Sequence, residues 1–187
     1  MPFRLLGLAV DPSRAGELCG HSFAYYAASG VDVTLACLLG GAEQPPSLRE
    51  LNRLGIRNLA LLGFLQEEVS TPELEPVLTD LIAGLRPHVV VADGSHEGLA
   101  QAVPAAFTGA RRRVGGTGAL PAKLYLRAFP ADRPDEITSA VVGPALPGPE
   151  LFARIYPKPW VTGVVERDLF AGITPDTQMF LDQLLAS

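Results

Sequence analysis

Two cysteines, two methionines and one tryptophan are all that 187 residues hold of these types. Cys19 and Cys37 fall in a predicted helix and a predicted strand and form no CxxC pair, so both are expected as buried free thiols. Long apolar runs are also missing. Leu5 to Val10, for one, is far too short to span a bilayer. Met1-Pro2-Phe3-Arg4 lacks the charged, apolar and small-residue zones of a signal peptide, which predicts a cytoplasmic protein with no membrane partner. Positive charge is scarce, with a net charge of −5 and one basic cluster, Arg111-Arg112-Arg113, which reads as a solvated loop. A single triplet does not make the stripe of phosphate contacts that nucleic acid requires. No G-x-G-x-x-G and no G-x-x-x-x-G-K-[ST] follows the first predicted strand. Gly115-Gly116-Thr117-Gly118 does not sit between a strand and a helix, so a dinucleotide cofactor is not expected.

What is present is an ordinary globular composition, 48% hydrophobic, at a length that fits one domain over residues 1–187. Phe3 to Val10 reads as a strand buried on both faces. A helix from about Ala15 to Ser29 stops at Gly30, and Val31 to Leu39 is a second strand. The pattern repeats. Ser47 caps a short helix to Leu54, with Glu50 placed as in a capping box, and Leu59 to Leu62 is a third strand. Thr71 opens a helix over Pro72 to Leu85, Val89 to Ala92 is a fourth strand, and a helix follows over about Gly98 to Phe107. This alternation predicts an α/β fold: a Rossmann-like, open, mostly parallel sheet with helices on both faces. From Arg111 glycine and proline become dense, and strand candidates Ala122 to Phe129, Ile137 to Val142 and Phe152 to Tyr156 suggest a β-rich, antiparallel C-terminal extension. Thr174 to Leu185 reads as a closing helix.

Ligands of open α/β sheets bind beyond the carboxyl ends of the strands, here Asp11 to Glu17, Gly40 to Gln44, Leu65 to Glu68 and Asp93 to Glu97. Leu5-Leu6-Gly7-Leu8-Ala9-Val10-Asp11-Pro12, followed by Cys19-Gly20 and by Gly30-Val31-Asp32-Val33-Thr34, resembles the start of the LmbE-like (PIG-L-type) deacetylases. Leu54-Gly55-Ile56 through Leu62-Gly63-Phe64, Arg86-Pro87-His88-Val89-Val90-Val91, Leu120-Pro121-Ala122-Lys123-Leu124-Tyr125 and Asp168-Leu169-Phe170-Ala171-Gly172 resemble later segments of that family, in order.

The resemblance implies a zinc-dependent hydrolase that removes the acetyl group from N-acetylglucosamine units. In the family, A-H-P-D-D-E and H-P-D-H supply the ligands, a general base and a histidine that steadies the oxyanion. This chain departs from both motifs. Asp11 stands at the first histidine, Ser13 at the base and Arg14 at the ligand aspartate. His96 is the counterpart of the first histidine of the second motif, Glu97-Gly98-Leu99 replaces the rest, and Leu99 takes the place of the ligand histidine. An arginine repels Zn²⁺ and cannot lose its charge. No metal cofactor is therefore expected.

Each site residue has two readings. Asp11 contacts a ligand or serves as a turn or cap residue after the strand. Arg14 holds an anionic group, or pairs with Asp11, Asp93 or Glu97. His96 keeps a polar ligand contact, or is a plain histidine at a helix start. Glu17 and His21, one helical turn apart, form a weak metal pair to which Asp11 adds a third candidate. Ser13 with His96 lacks the G-x-S-x-G elbow of a serine hydrolase. Trp160 either stacks on a sugar or covers the core. The leading expectation is a non-catalytic binder of a small sugar-like or anionic ligand through Asp11, Ser13, Arg14, His96 and Glu97. Two alternatives stand beside it: an active zinc hydrolase with a rearranged site, and a structural or interaction protein. The resemblance favours a homo-oligomer, with contacts from the loops after Phe129.

Overall fold

The computed structural model describes residues 2–12, 15–39, 48–65, 68–69, 71–115, 120–127, 139–142, 150–157 and 168–173. In chain order the elements are β1 (Arg4–Ala9), α1 (Ala15–Ala28), β2 (Asp32–Leu39), α2 (Leu48–Arg53), β3 (Asn58–Phe64) and α3 (Thr71–Leu85). β4 (Val89–Asp93), α4 (Glu97–Val114), β5 (Lys123–Arg127), β6 (Ser139–Val142) and β7 (Glu150–Tyr156) follow. Among the described residues seven strands form one sheet in the order β3-β2-β1-β4-β5-β7-β6. β1 to β5 run parallel, and β7 and β6 are antiparallel additions at one side.

The period of two along each strand sorts the core into two layers. Leu5, Val33, Leu35, Val89 and Val91 face one way, against Phe23 and Tyr26 of α1. Leu6, Leu8, Ala36, Val90 and Ala92 face the other way, against α3 and α4. β4 is buried along its whole length, which explains its unbroken Val-Val-Val-Ala sequence. Leu74, Leu78 and Ile82 give α3 its inward stripe, and Leu99, Val103 and Phe107 serve α4 in the same way. Gly109 lets these two helices approach closely, because a Cβ there would meet Thr79 Cγ2 at 3.2 Å. Pro76 lies inside α3, near its start, where the loss of one backbone donor is tolerated.

Three expectations are corrected. α4 runs to Val114, two turns past Phe107, so the arginine triplet is the last turn of a helix and not a loop. That turn is a favourable place for cations, where the helix carbonyls are exposed. The Arg111 guanidinium sits 4.8 Å from the Tyr156 ring centre and donates to the Pro121 carbonyl, while Arg113 pairs with Asp80. Secondly, β5 extends the parallel set beside β4, so the antiparallel extension consists of β7 and β6 alone. Thirdly, β3 continues past Leu62 to Phe64. The predicted helix at 174–185, the Ser47 cap and Trp160 lie outside the described residues. No described helix is long and apolar enough to cross a membrane.

Candidate functional site

β1 is flanked by β2 on one side and β4 on the other. The chain leaves β1 towards β2, and it leaves β4 towards β5. Their exits therefore diverge, and such a switch point is where open α/β sheets hold a ligand crevice. β1 delivers Val10, Asp11 and Pro12 to that crevice, and β4 delivers Asp93, Gly94, Ser95 and His96. Two of the residues singled out from the sequence, Asp11 and His96, thus stand at the ends of adjacent strands. Ser13 and Arg14 lie outside the described residues, as does the Glu17 side chain.

The β4 exit is shaped by a residue that the sequence reading named only as a possible partner of Arg14. Asp93 is 3% exposed, and its Oδ1 accepts from both the backbone N–H and the hydroxyl of Ser95. A carboxylate that holds the backbone two residues on makes a tight turn. Gly94 is required within that turn, since a Cβ would come within 2.9 Å of the Arg127 carbonyl oxygen. The only signal in the sequence was Asp-Gly-Ser directly after an apolar run.

The turn delivers His96 to the N-cap of α4, with φ −100° and ψ 114°. Its Nδ1 accepts a 3.4 Å hydrogen bond from the Leu99 N–H, one of the orphan donors of the first helical turn. An accepting nitrogen carries no hydrogen, so Nε2 bears the ring proton and is a donor. Glu97, in the first turn, is exposed and accepts from Gln101 Nε2 at 2.9 Å. Its charge lies at the positive end of the helix, where it is stabilising. Gly98 is confined from two sides: an added Cβ would meet the Val69 carbonyl oxygen at 3.0 Å and the His96 ring at 3.4 Å.

Asp11 is half-buried, and its charge is felt at the neighbouring strand end. Burial first, and then Asp11, push the Cys37 thiol up to about 12. Cys37 is fully buried and stays a neutral thiol, neither a nucleophile nor a metal ligand. His21 is exposed on α1.

The described donors do not fit a zinc centre. No group of three or more His, Cys, Asp or Glu side chains converges among the described residues. Leu99 is 0% exposed and belongs to the apolar layer with Val103 and Phe107, so it offers no donor.

No family model and no curated protein matches the sequence. Solved structures do match the fold. The conserved protein TT1542 from Thermus thermophilus superposes with a TM-score of 0.50 at 25% identity, over 71% of this chain and 68% of its own. The A40926 pseudoaglycone deacetylase Dbv21 superposes with a TM-score of 0.51 at 19% identity, over 74% and 72% of the two chains. This chain has the α/β fold of that deacetylase.

Proposed function

We propose that the chain is an LmbE-like domain that has lost its zinc centre and binds a small sugar-like or anionic ligand, without hydrolysing it, in the crevice between β1 and β4. The fold shared with the A40926 pseudoaglycone deacetylase, beside the sequence resemblance, supports a deacetylase-type site as the starting point. The observation that carries the reading is Leu99, which stands where the resemblance puts a ligand histidine and is sealed in the apolar core, while His96 caps α4. A crevice with a donor and a carboxylate, and with no metal triad among the described residues, can orient a hydroxyl-rich or anionic molecule.

The test pairs two measurements on the full chain. Elemental analysis after zinc dialysis is expected to find no stoichiometric zinc. Titration with N-acetylglucosamine and with glucosamine 6-phosphate, followed by NMR, is expected to show saturable binding that EDTA leaves unchanged and His96→Ala weakens about tenfold or more. One zinc held per chain, together with acetate release from N-acetylglucosamine, would instead establish the active hydrolase. Absence of any sugar response would end the binding reading.

A further inference from the structure

The starts of the parallel strands, at the other end of the sheet from the crevice, hold a cavity of about 440 Å³, a volume in the range of small-molecule sites. By the period of two, Arg4 of β1, Asp32 of β2, and Asn58 and Ala60 of β3 project on the same face as Leu6, towards α3. Register sets Arg4 opposite Asp32. All four line the cavity, and Leu81 and Leu85, near the end of α3, join Ala60 as its apolar wall.

The polar side presents one cation and one anion. Arg4 Nε is buried without a hydrogen-bond partner among the described residues. Burial first, and then the charge of Arg86 just past α3, work against the charged guanidinium, and Asp32 offsets this only in part. An arginine cannot shed its proton in such a place, so an anion that accepts from it is stabilising. Asp32 Oδ1 accepts from Asn58 Nδ2 at 3.4 Å, and a carboxylate accepts about four hydrogen bonds in all. The carbonyl end of α3 borders the same cavity and favours a cation there. Register partners on adjacent strands stand about 4.8 Å apart, so the two opposite charges are offered close together.

We propose that this cavity binds an aliphatic α-amino acid. Its carboxylate accepts from Arg4, its ammonium donates to Asp32, and its side chain lies against Ala60, Leu81 and Leu85. An α-amino acid carries both charges on one carbon, which matches a cation and an anion on neighbouring strands, and its aliphatic part matches the wall beside them.

The test is calorimetric titration of the full chain with L-leucine. The wild type is expected to bind it saturably, with a Kd below about 1 mM. 4-Methylpentanoate lacks the amine and 3-methylbutylamine lacks the carboxylate, and each is expected to bind about tenfold more weakly. These comparisons need no variant to fold. Arg4→Gln is expected to weaken leucine binding about tenfold. Asp32→Asn is expected to bind leucine and 4-methylpentanoate alike, a change of preference that a merely structural role would not produce. His96→Ala, at the other end of the sheet, is expected to leave leucine binding unchanged, so this cavity and the crevice are judged separately. A wild type that shows no saturable response to leucine overturns the proposal. So does binding of either single-charge analogue as tightly as leucine, or loss of leucine binding in His96→Ala.

Discussion

The hydroxyl of Tyr26 donates to Asp168 Oδ1 at 2.9 Å and accepts from the Leu169 N–H at 2.8 Å, joining α1 to a segment far along the chain. The same carboxylate oxygen accepts from the Phe170 N–H, and the Phe170 ring packs on Tyr26 with centroids 5.1 Å apart. Burial, with the neighbouring carboxylate, holds the Tyr26 phenol well above its ordinary range.

Tyr26→Phe is therefore expected to cost about 1–3 kcal/mol, because it leaves the buried Leu169 N–H without its acceptor. Tyr26 is raised in the fold, so its contribution is complete below the unfolded value of 10.0 and declines as pH rises beyond it. Urea unfolding of both proteins across that range checks both points. The variant should show the smaller alkaline slope.

Cys37 follows the same sign. Its thiol rises from 9.0 to about 12 in the fold, so its stabilising effect is present below pH 9 and is lost as pH climbs towards 12. Cys37→Ala is expected to flatten stability over that window. In a Cys19→Ser background, native protein should react with a thiol reagent at pH 8 only as fast as it unfolds. Prompt labelling would contradict the burial of Cys37.

Gly7 lies in β1 directly beneath the Phe23 ring, which occupies the space a Cβ would need. Gly7→Ala is expected to destabilise by about 1–3 kcal/mol through overpacking. Adding Phe23→Leu should recover part of that loss. Denaturant midpoints of the single and double variants measure the coupling.

Leu99→His places an imidazole where the resemblance puts a ligand histidine. Leu99 is sealed among Val103, Phe107 and the sheet, so the change buries an unpartnered polar group. The expected result is a loss of about 2–4 kcal/mol and no gain of zinc, read by thermal unfolding with and without the metal. A midpoint raised by stoichiometric zinc would show that the centre can be rebuilt by one substitution.

Much of the parallel core is legible in the sequence, because strands buried on both faces read as apolar runs and the helices between them carry glycine stops. Gly109 and the arginines beyond it broke that legibility in α4. The glycine is there for Thr79 of the adjacent helix, and the arginines find partners on three separate segments, none of them a local signal. The direction of β5 was equally hidden, since a strand's own residues do not state which way its neighbour runs. The strand-end rule put Asp11 and His96 past the ends of the neighbouring strands β1 and β4. The structural role of Asp93 was not visible, because an aspartate after an apolar run looks the same whether it binds a ligand or holds a turn. Which ring nitrogen of His96 is committed depends on the cap geometry, which no spacing encodes.

The contact of Gly94 with the Arg127 carbonyl has a consequence for how the chain can be divided. The turn that carries His96 rests on β5, and β5 is in turn held by β7. A fragment ending after α4 would keep every residue assigned to the crevice and lose the backbone that the turn leans on. The late strands therefore support the turn that carries His96, and any shortened version meant to keep that turn in place must reach at least Tyr156.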